Sequence, residues 1–395
     1  MSLMYRGPSV RQRLPRTEGP PEIPEQKPLF AAALTTILSI LLVAAIYVYS
    51  FHRIQSLEDV AEVLKTMSRP LVDDRCRRVN STHLQCLPNV FFIGASKCGT
   101  TSITEYLDQH PQVHFVRRRI HKTDRHREVH RFDRNTYPRS IRILELLDEW
   151  ASSPVVNSSA RDAVIHYTPH YLYAPSVPFD LRRFFPDKLA SRLKFIVVLR
   201  DPTRRAISSY WFQNSHIFHR TGDRGSYAEF SALCDAEIQH RREYESCMAK
   251  NRGAALYNSS SAHGSLQLEA GLVRCFGPLM NSARLGGRHV DKGIYADQLE
   301  RWFINFPREN FFITSLEQWQ ADAPREFARL LQFIGVDPKP ESASYLSRRG
   351  HLSRLVRPNS LQTDPPQALI QRLDDFFKTY AAELKTLLPH GPSLG

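Results

Sequence analysis

What this chain is short of narrows its identity early. Acidic residues are outnumbered: 40 Asp and Glu stand against 53 Lys and Arg, a formal charge of +13 over 395 residues. That imbalance points to an acidic partner, whether nucleic acid, anionic lipid or an acidic polymer. Internal repeats are missing, which excludes a stacked-repeat architecture. Cysteine is sparse: the six are Cys76, Cys86, Cys98, Cys234, Cys247 and Cys275, with none before residue 76. A G-x-x-x-x-G-K-[ST] loop is also missing, which argues against an ordinary nucleoside-triphosphate site. Long apolar runs are absent with one exception.

The exception is residues 29–51, LFAAALTTILSILLVAAIYVYSF, with no charged side chain. As a helix it is long enough to cross a hydrocarbon core of roughly 30 Å. It is too long for the apolar part of a typical signal peptide, and no small-x-small cleavage pattern follows it. Arg6, Arg11, Arg13, Arg16 and Lys27 precede it, while His52 and Arg53, then Glu58, Asp59 and Glu62, follow. The positive-inside rule then gives a single-pass type II protein. The expectation is a cytosolic tail (1–27), a transmembrane signal-anchor (28–51), a lumenal stem (52–88) and a lumenal body (89–390). Such a topology removes nucleic acid from the partners and allows disulfides. Cys76 with Cys86 could close a short loop, and Cys234, Cys247 and Cys275 could supply a second bridge. Cys98 is expected to be free and packed. N-x-[ST] sequons at Asn80, Asn157 and Asn258 suit a lumenal body, though each alone is weak.

In the stem, Ile54, Leu57, Ala61 and Leu64 fall at a/d spacing, a possible dimer contact but too short to establish one. Residues 69–88 read as a linker. From residue 89 short apolar runs alternate with amphipathic segments. Strands are expected at 89–94, 194–199 and 310–314. Helices are expected after residue 100 and at 203–212, 295–306, 323–334 and 366–388. This alternation predicts an α/β fold with a P-loop-like central parallel sheet flanked by helices. Residues 215–290 read as an irregular insertion.

The segment FFIGASKCGTTSITEYL, residues 91–107, is a strand, a glycine turn and a helix start. Gly94 and Gly99 have nucleotide-loop spacing, but Lys97 precedes the second glycine and Thr100 occupies the usual lysine slot. Free backbone N–H groups and the helix dipole favour an anion there. Lys97 adds a charge; Thr100, Thr101 and Ser102 add hydroxyls. The plain alternative is an ordinary βα turn with threonine caps, which lysine and three hydroxyls together disfavour. A second such unit, VVLRDPTRRAISSYW, puts Arg200 at a strand end and Ser208 two helical turns on. Two anion sites on neighbouring strands suit a nucleotide with charged groups at its 5′ and 3′ positions. Asp201 could be a Mg²⁺ ligand, but Arg and Pro beside it favour a helix cap.

Lys97-Cys98-Gly99-Thr100-Thr101 resembles the 5′-phosphosulfate loop of sulfotransferases, and Arg200-Asp201-Pro202 through Ser208 resembles their 3′-phosphate motif. With KGIYADQLERWF from Lys292 and the tail from Pro365, the chain is similar to the Golgi carbohydrate branch. It is most similar to N-acetylgalactosamine 4-sulfate 6-O-sulfotransferase, with heparan sulfate sulfotransferases nearly as close. The resemblance covers residues 89–388 and is patchy through 215–290. It implies 3′-phosphoadenosine 5′-phosphosulfate as co-substrate, no metal, a Golgi membrane location and a glycosaminoglycan acceptor. Donor-binding roles are implied for Lys97, Cys98, Gly99, Thr100, Thr101, Ser102, Arg200 and Ser208, and a catalytic role for Lys97. REVHRFD, residues 127–133, aligns with a segment whose glutamate is the base, which makes Glu128 the candidate and His130 the second choice. A solvated glutamate is the bland alternative. Arg131 departs from an aromatic of the pattern, and Tyr167 stands where relatives carry a lysine before Thr168-Pro169. His166 or His170 could contact substrate instead, although packed histidines are slightly favoured.

A dense basic stretch surrounds the base candidate: Arg117, Arg118, Arg119, Lys122, Arg125, Arg127, Arg131 and Arg134. A charge run is by default a solvated loop. Beside a base in a lumenal enzyme, an acidic-polysaccharide cleft is the stronger expectation, with Arg125, Arg127, His130, Arg131 and His166 as contacts. The resemblance also implies a basic loop that closes over the nucleotide, formed either by Arg348, Arg349 and Gly350 or by Arg354 and Arg357. The rival functions are a P-loop nucleotide kinase and an inactive, membrane-anchored glycan-binding protein.

Overall fold

The computed structural model describes residues 69–116, 128–133, 153–157, 162–221, 225–252, 288–338 and 364–392, plus Lys65, Glu269, 271–272, 274–276 and Leu394. The expected tail, anchor and a/d stem, the basic residues 117–127 and 134, Asn258 and the arginines at 348–357 lie outside these. Among the described residues no helix is long and apolar enough to cross a membrane.

In chain order the strands are β1 (Cys76–Arg78), β2 (His83–Cys86), β3 (Val90–Gly94), β4 (Val113–Phe115), β5 (Val155–Asn157), β6 (Ala163–Tyr167), β7 (Lys194–Leu199) and β8 (Phe311–Ser315). The helices are α1 (Thr100–Leu107), α2 (Val177–Phe184), α3 (Asp187–Ala190), α4 (Pro202–Thr221), α5 (Tyr227–Arg252), α6 (Tyr295–Asn305), α7 (Leu316–Ala321), α8 (Ala323–Ile334) and α9 (Gln367–Leu387). Five strands form a sheet in the order β4-β6-β3-β7-β8, with every neighbouring pair parallel. β3 and β6 are buried at every position, and β7 at all but its first residue. A strand covered on both faces needs apolar residues without alternation, which is why VFFIG and KFIVVL read as unbroken runs. Phe91, Phe195, Trp302 and Trp319 fill the space between sheet and helices.

Two expectations fail. Residues 69–88 are not a simple linker. β1 and β2 pair antiparallel with Cys76 opposite Cys86, a disulfide joins those cysteines, and β5 extends the sheet. Nor is 215–290 wholly irregular: α4 runs on to Thr221, and α5 occupies 227–252. The buried face of α5 is Phe230, Cys234, Glu237, Arg241, Tyr244 and Met248. Its spacing is helical, but two charged residues interrupt the stripe and hide it from a hydropathy pattern. Arg241 reaches Asp297 of α6 at 3.3 Å, and Arg301 meets the same carboxylate at 2.6 Å. The second disulfide joins Cys247 and Cys275, leaving Cys98 and Cys234 buried and free.

Candidate active site

The strand order places the site. From β3 the chain crosses to β4 on one side; after β6 it returns to β7 on the other side of β3. The carboxyl ends of β3 and β7 therefore flank a topological switch point, where the connections diverge and leave a crevice. Both candidate anion loops begin there.

The first loop leaves β3 at Gly94. A side chain at this glycine would lie 2.8 Å from the Pro169 carbonyl and 2.8 Å from Leu172 Cβ. Gly94 thus lets the loop pack against the segment after β6, rather than admitting a ligand. Lys97 and Gly99 both turn left-handed, at φ 72° and 77°. A lysine in this conformation is strained, which is characteristic of functional loops. Ala95 N–H donates to Val198 and Cys98 N–H to Ala95. The N–H groups of Lys97, Gly99, Thr100, Thr101 and Ser102 find no backbone carbonyl among the described residues. Together with the start of α1 they make a backbone cradle for an anion.

The side chains divide. Lys97 is half-buried, and its Nζ lies 3.7 Å from the Phe212 ring centre. Burial first, then the Arg200 and Arg205 charges, lower its pKa to about 8. Thr101 is exposed and Ser102 half-buried. Thr100 is buried, with its hydroxyl 3.0 Å from Tyr167 Oη, so its side chain braces the loop. Cys98 is fully buried, and burial raises its pKa to about 11. Its expected place in the donor site is corrected: N–H and thiol both face inward, the sulfur 3.9 Å from Tyr295 Oη.

In the second loop Arg200 donates to the Lys97 carbonyl at 3.2 Å, which ties the two anion loops together. Tyr295 from α6 locks the pair: its hydroxyl touches Cys98 and donates to the Arg200 carbonyl at 2.9 Å. Asp201 is a helix cap, as expected, accepting from Arg204 N–H at 2.7 Å. Ser208 is half-buried on α4.

Opposite Lys97 sits an ordered row of acid, imidazole and acid. His130 Nε2 lies 2.8 Å from Glu128 Oε2, and its Nδ1 lies 2.7 Å from Asp133 Oδ2. Burial disfavours charge on His130, but the two carboxylates outweigh it and raise its pKa to about 9. Burial likewise opposes ionisation of Asp133, yet the His130 contact brings its pKa below the usual carboxylate value. At neutral pH His130 is therefore a cation, hydrogen-bonded to a carboxyl group on each side. Glu128 is close enough to Lys97 to interact with it electrostatically.

The backbone of this row is hung on the segment after β6. Thr168 Oγ1 accepts from Val129 N–H at 3.2 Å and His130 N–H at 3.0 Å. Tyr171 Oη accepts from Arg131 N–H at 2.9 Å and Phe132 N–H at 3.1 Å. Thr168, Tyr171, Tyr167 and Tyr295 are the positioning residues that motif matching did not assign. For the first three the signal was the run YTPHYLY, residues 167–173, whose hydroxyls stand at the end of a buried strand; Tyr295 lies in KGIYADQLERWF.

Two substrate-contact candidates are corrected. His166 is fully buried, stacked 5.1 Å from Phe91 and 2.9 Å from Tyr171 Oη, so it belongs to the core. Arg131 is also buried, at 8% exposure, not set on an open basic face. His170 is half-buried near Asp133. Asn80 is exposed in the β1–β2 turn, where its Oδ1 accepts from His83 N–H at 2.8 Å; Asn157 ends β5. Among the described residues no three His, Cys, Asp or Glu side chains gather as a metal-binding group.

The sulfotransferase domain family matches residues 87–354. The chain is 24% identical over 336 residues to the human bifunctional heparan sulfate N-deacetylase/N-sulfotransferase 3, covering 81% of this chain and 32% of that protein. It is 25% identical to human carbohydrate sulfotransferase 15, covering 77% of this chain and 54% of the relative. It is also 25% identical to human heparan sulfate glucosamine 3-O-sulfotransferase 3B1, covering 63% and 46%. The chain thus spans about a third to a half of the length of these relatives.

Proposed function

The chain belongs to the sulfotransferase domain family, and we propose that it moves a sulfuryl group from 3′-phosphoadenosine 5′-phosphosulfate to a glycan hydroxyl. The residues fit that donor. Unpaired N–H groups at the mouth of α1 and Lys97 suit its 5′ end, and Arg200 with Ser208 suits the 3′ phosphate. In the transfer, the bond between sulfur and the bridging phosphate oxygen breaks, and a bond from the acceptor oxygen to sulfur forms. Lys97 neutralises charge on the departing phosphate oxygen, where a fixed cation has most effect. Glu128 takes the acceptor proton. His130, held cationic, fixes Glu128 Oε2 through their hydrogen bond, while Asp133 fixes His130.

The observation that carries this reading is the Glu128–His130–Asp133 row beside Lys97. The acceptor is a glycosaminoglycan, chondroitin or dermatan sulfate in the first instance and heparan sulfate in the second. The relatives' names support a carbohydrate acceptor and, in two of the three, heparan sulfate, and the +13 charge suits any acidic polysaccharide. The charge-flanked apolar run at 29–51 supports a type II anchor with the body in the lumen, and the resemblance to Golgi carbohydrate sulfotransferases supports that compartment. Radiolabelled donor offered with chondroitin, dermatan, heparan and neutral glycans tests the proposal. Label should enter a sulfated or uronate-bearing polymer, and incorporation into none of them overturns it.

A further inference from the structure

Beside the row of Glu128, His130 and Asp133 lies a second group of charges, outside the donor loops and away from the basic stretch of the sequence. It is built on residues 288–292, just before α6. Glu237 of α5 fixes that segment by accepting from the N–H groups of His289, Val290 and Asp291 at 2.7, 2.6 and 3.3 Å. Its carboxylate is thereby occupied with backbone. Asp291 is occupied as well: Tyr173 donates to it at 2.7 Å, and Arg241 lies 3.5 Å away.

The cations of the segment have no such partners. Lys292 is half-buried, 5.5 Å from the centre of the Tyr173 ring, and makes no ion pair or hydrogen bond through Nζ among the described residues. Arg288 is also half-buried, held at a left-handed φ of 51°. Its Nη1 donates to Tyr173 Oη at 3.2 Å, while its Nη2 is buried without a partner. Arg205 lies beneath, fully buried, bonded to the His289 carbonyl with Nε and Nη1 unpartnered. Glu237 and Asp291 act on Lys292 only through space, and burying cations that lack direct ionic partners is costly, so such a group is a binding-site signature. Its location identifies the ligand. His170, 5.6 Å from the Tyr173 ring, lies in the chain between Thr168 and Tyr171, whose hydroxyls hold residues 129–132, and it feels the charges of Lys292, Arg288, Asp133 and His130. The cations therefore adjoin the base, where an acceptor would lie.

We propose that Lys292, over the Tyr173 ring, and Arg288, over the Phe276 ring and bonded to the Tyr173 hydroxyl, form a subsite for an anionic group of the acceptor, a uronate carboxylate or a sulfate ester. This rests on the sulfotransferase reading for the acceptor's identity. Burial and the Arg205 charge lower the Lys292 pKa to about 8, so an anion there would restore a fully charged lysine. The His170 pKa falls to about 3, through burial and then Lys292. A neutral ring next to the cations adds no competing charge.

The test is equilibrium binding of chondroitin sulfate and heparan sulfate hexasaccharides, with their desulfated and carboxyl-reduced forms, to wild type, Lys292→Gln, Lys292→Arg and Arg288→Gln. Lys292→Gln should weaken the tighter-binding hexasaccharide roughly 10-fold, the worth of one charge-assisted hydrogen bond. Lys292→Arg should recover most of that loss. The chemical form whose wild-type binding already matches the variant's identifies the group, carboxylate or sulfate. Wild-type binding of neither hexasaccharide, unchanged binding in both glutamine variants, or equal losses for charged and doubly neutralised forms would overturn the subsite. Should Lys292→Gln fail to fold, Arg288→Gln carries the same comparison. A protein that binds through Lys292 but transfers no sulfate overturns the enzyme reading alone. One that transfers sulfate with an unchanged KM in Lys292→Gln overturns the subsite alone.

Discussion

The two sides of the candidate site are built differently. The donor side is backbone: two loops at adjacent strand ends, with left-handed Lys97 and Gly99, joined by the bond from Arg200 to the Lys97 carbonyl. The acceptor side is side chains. Its six residues, 128–133, join no strand; apart from one backbone bond, Val129 N–H to the Tyr167 carbonyl at 3.0 Å, they hang from the hydroxyls of Thr168 and Tyr171. Backbone cradles inherit their geometry from the sheet, so single substitutions disturb them little. A row held by side-chain bonds is open to single substitutions at every link. Nucleotide binding should therefore tolerate changes that abolish turnover.

Glu128→Gln gives the sharpest split. Turnover should fall about 100- to 10,000-fold, the usual worth of a general base, with nucleotide affinity preserved. Normal turnover would remove Glu128 from its role. Asp133→Asn tests the link behind it through pH. His130 has a raised pKa, so its ion pairs stabilise the fold fully below about 6.5 and are lost as pH rises through about 9. If the charged ring supports Glu128, turnover declines along that same alkaline limb, as a second loss after the one Lys97 causes on discharging through about 8. Removing the Asp133 charge should shift the limb down by about one to two pH units. A limb that stays in place would show that His130 is structural only. The smallest effect belongs to Tyr167→Phe, which removes the hydroxyl bracing Thr100. It should cost about 1 kcal/mol of stability and relax the donor loop slightly, read by denaturant melts and by nucleotide affinity. An unchanged midpoint would mean that the loop holds its shape without the brace.

The same division decides what could be read from the sequence. Strand ends, glycine spacing and the Lys97 and Arg200 loops follow from local patterns, and β3, β7 and β8 lie at or within one residue of where they were expected. The acceptor row was only partly legible. Glu128 and His130 were singled out by resemblance, but their suspension from Thr168 and Tyr171 is a contact between segments about 40 residues apart. No local periodicity encodes that. His166 misled because a polar residue inside a buried strand looks like a ligand, whereas Tyr171 satisfies it in the core. The α5 helix was hidden by Glu237 and Arg241, buried on its inner face to pin residues 289–291 and to pair with α6. The β1–β2 hairpin had too few residues to show alternation, and only its cysteines marked it.

The central claim is that two linked anion loops select a nucleotide charged at both ends. Titration of the body, residues 69–395, with adenosine 3′,5′-bisphosphate, adenosine 5′-monophosphate and ATP-Mg²⁺ tests it most directly. The bisphosphate should bind roughly 100-fold tighter than the monophosphate, the worth of the 3′-phosphate contacts at Arg200 and Ser208, and Arg200→Ala should erase the difference. Equal affinity for the two monomeric nucleotides, or preference for ATP-Mg²⁺, would contradict the account.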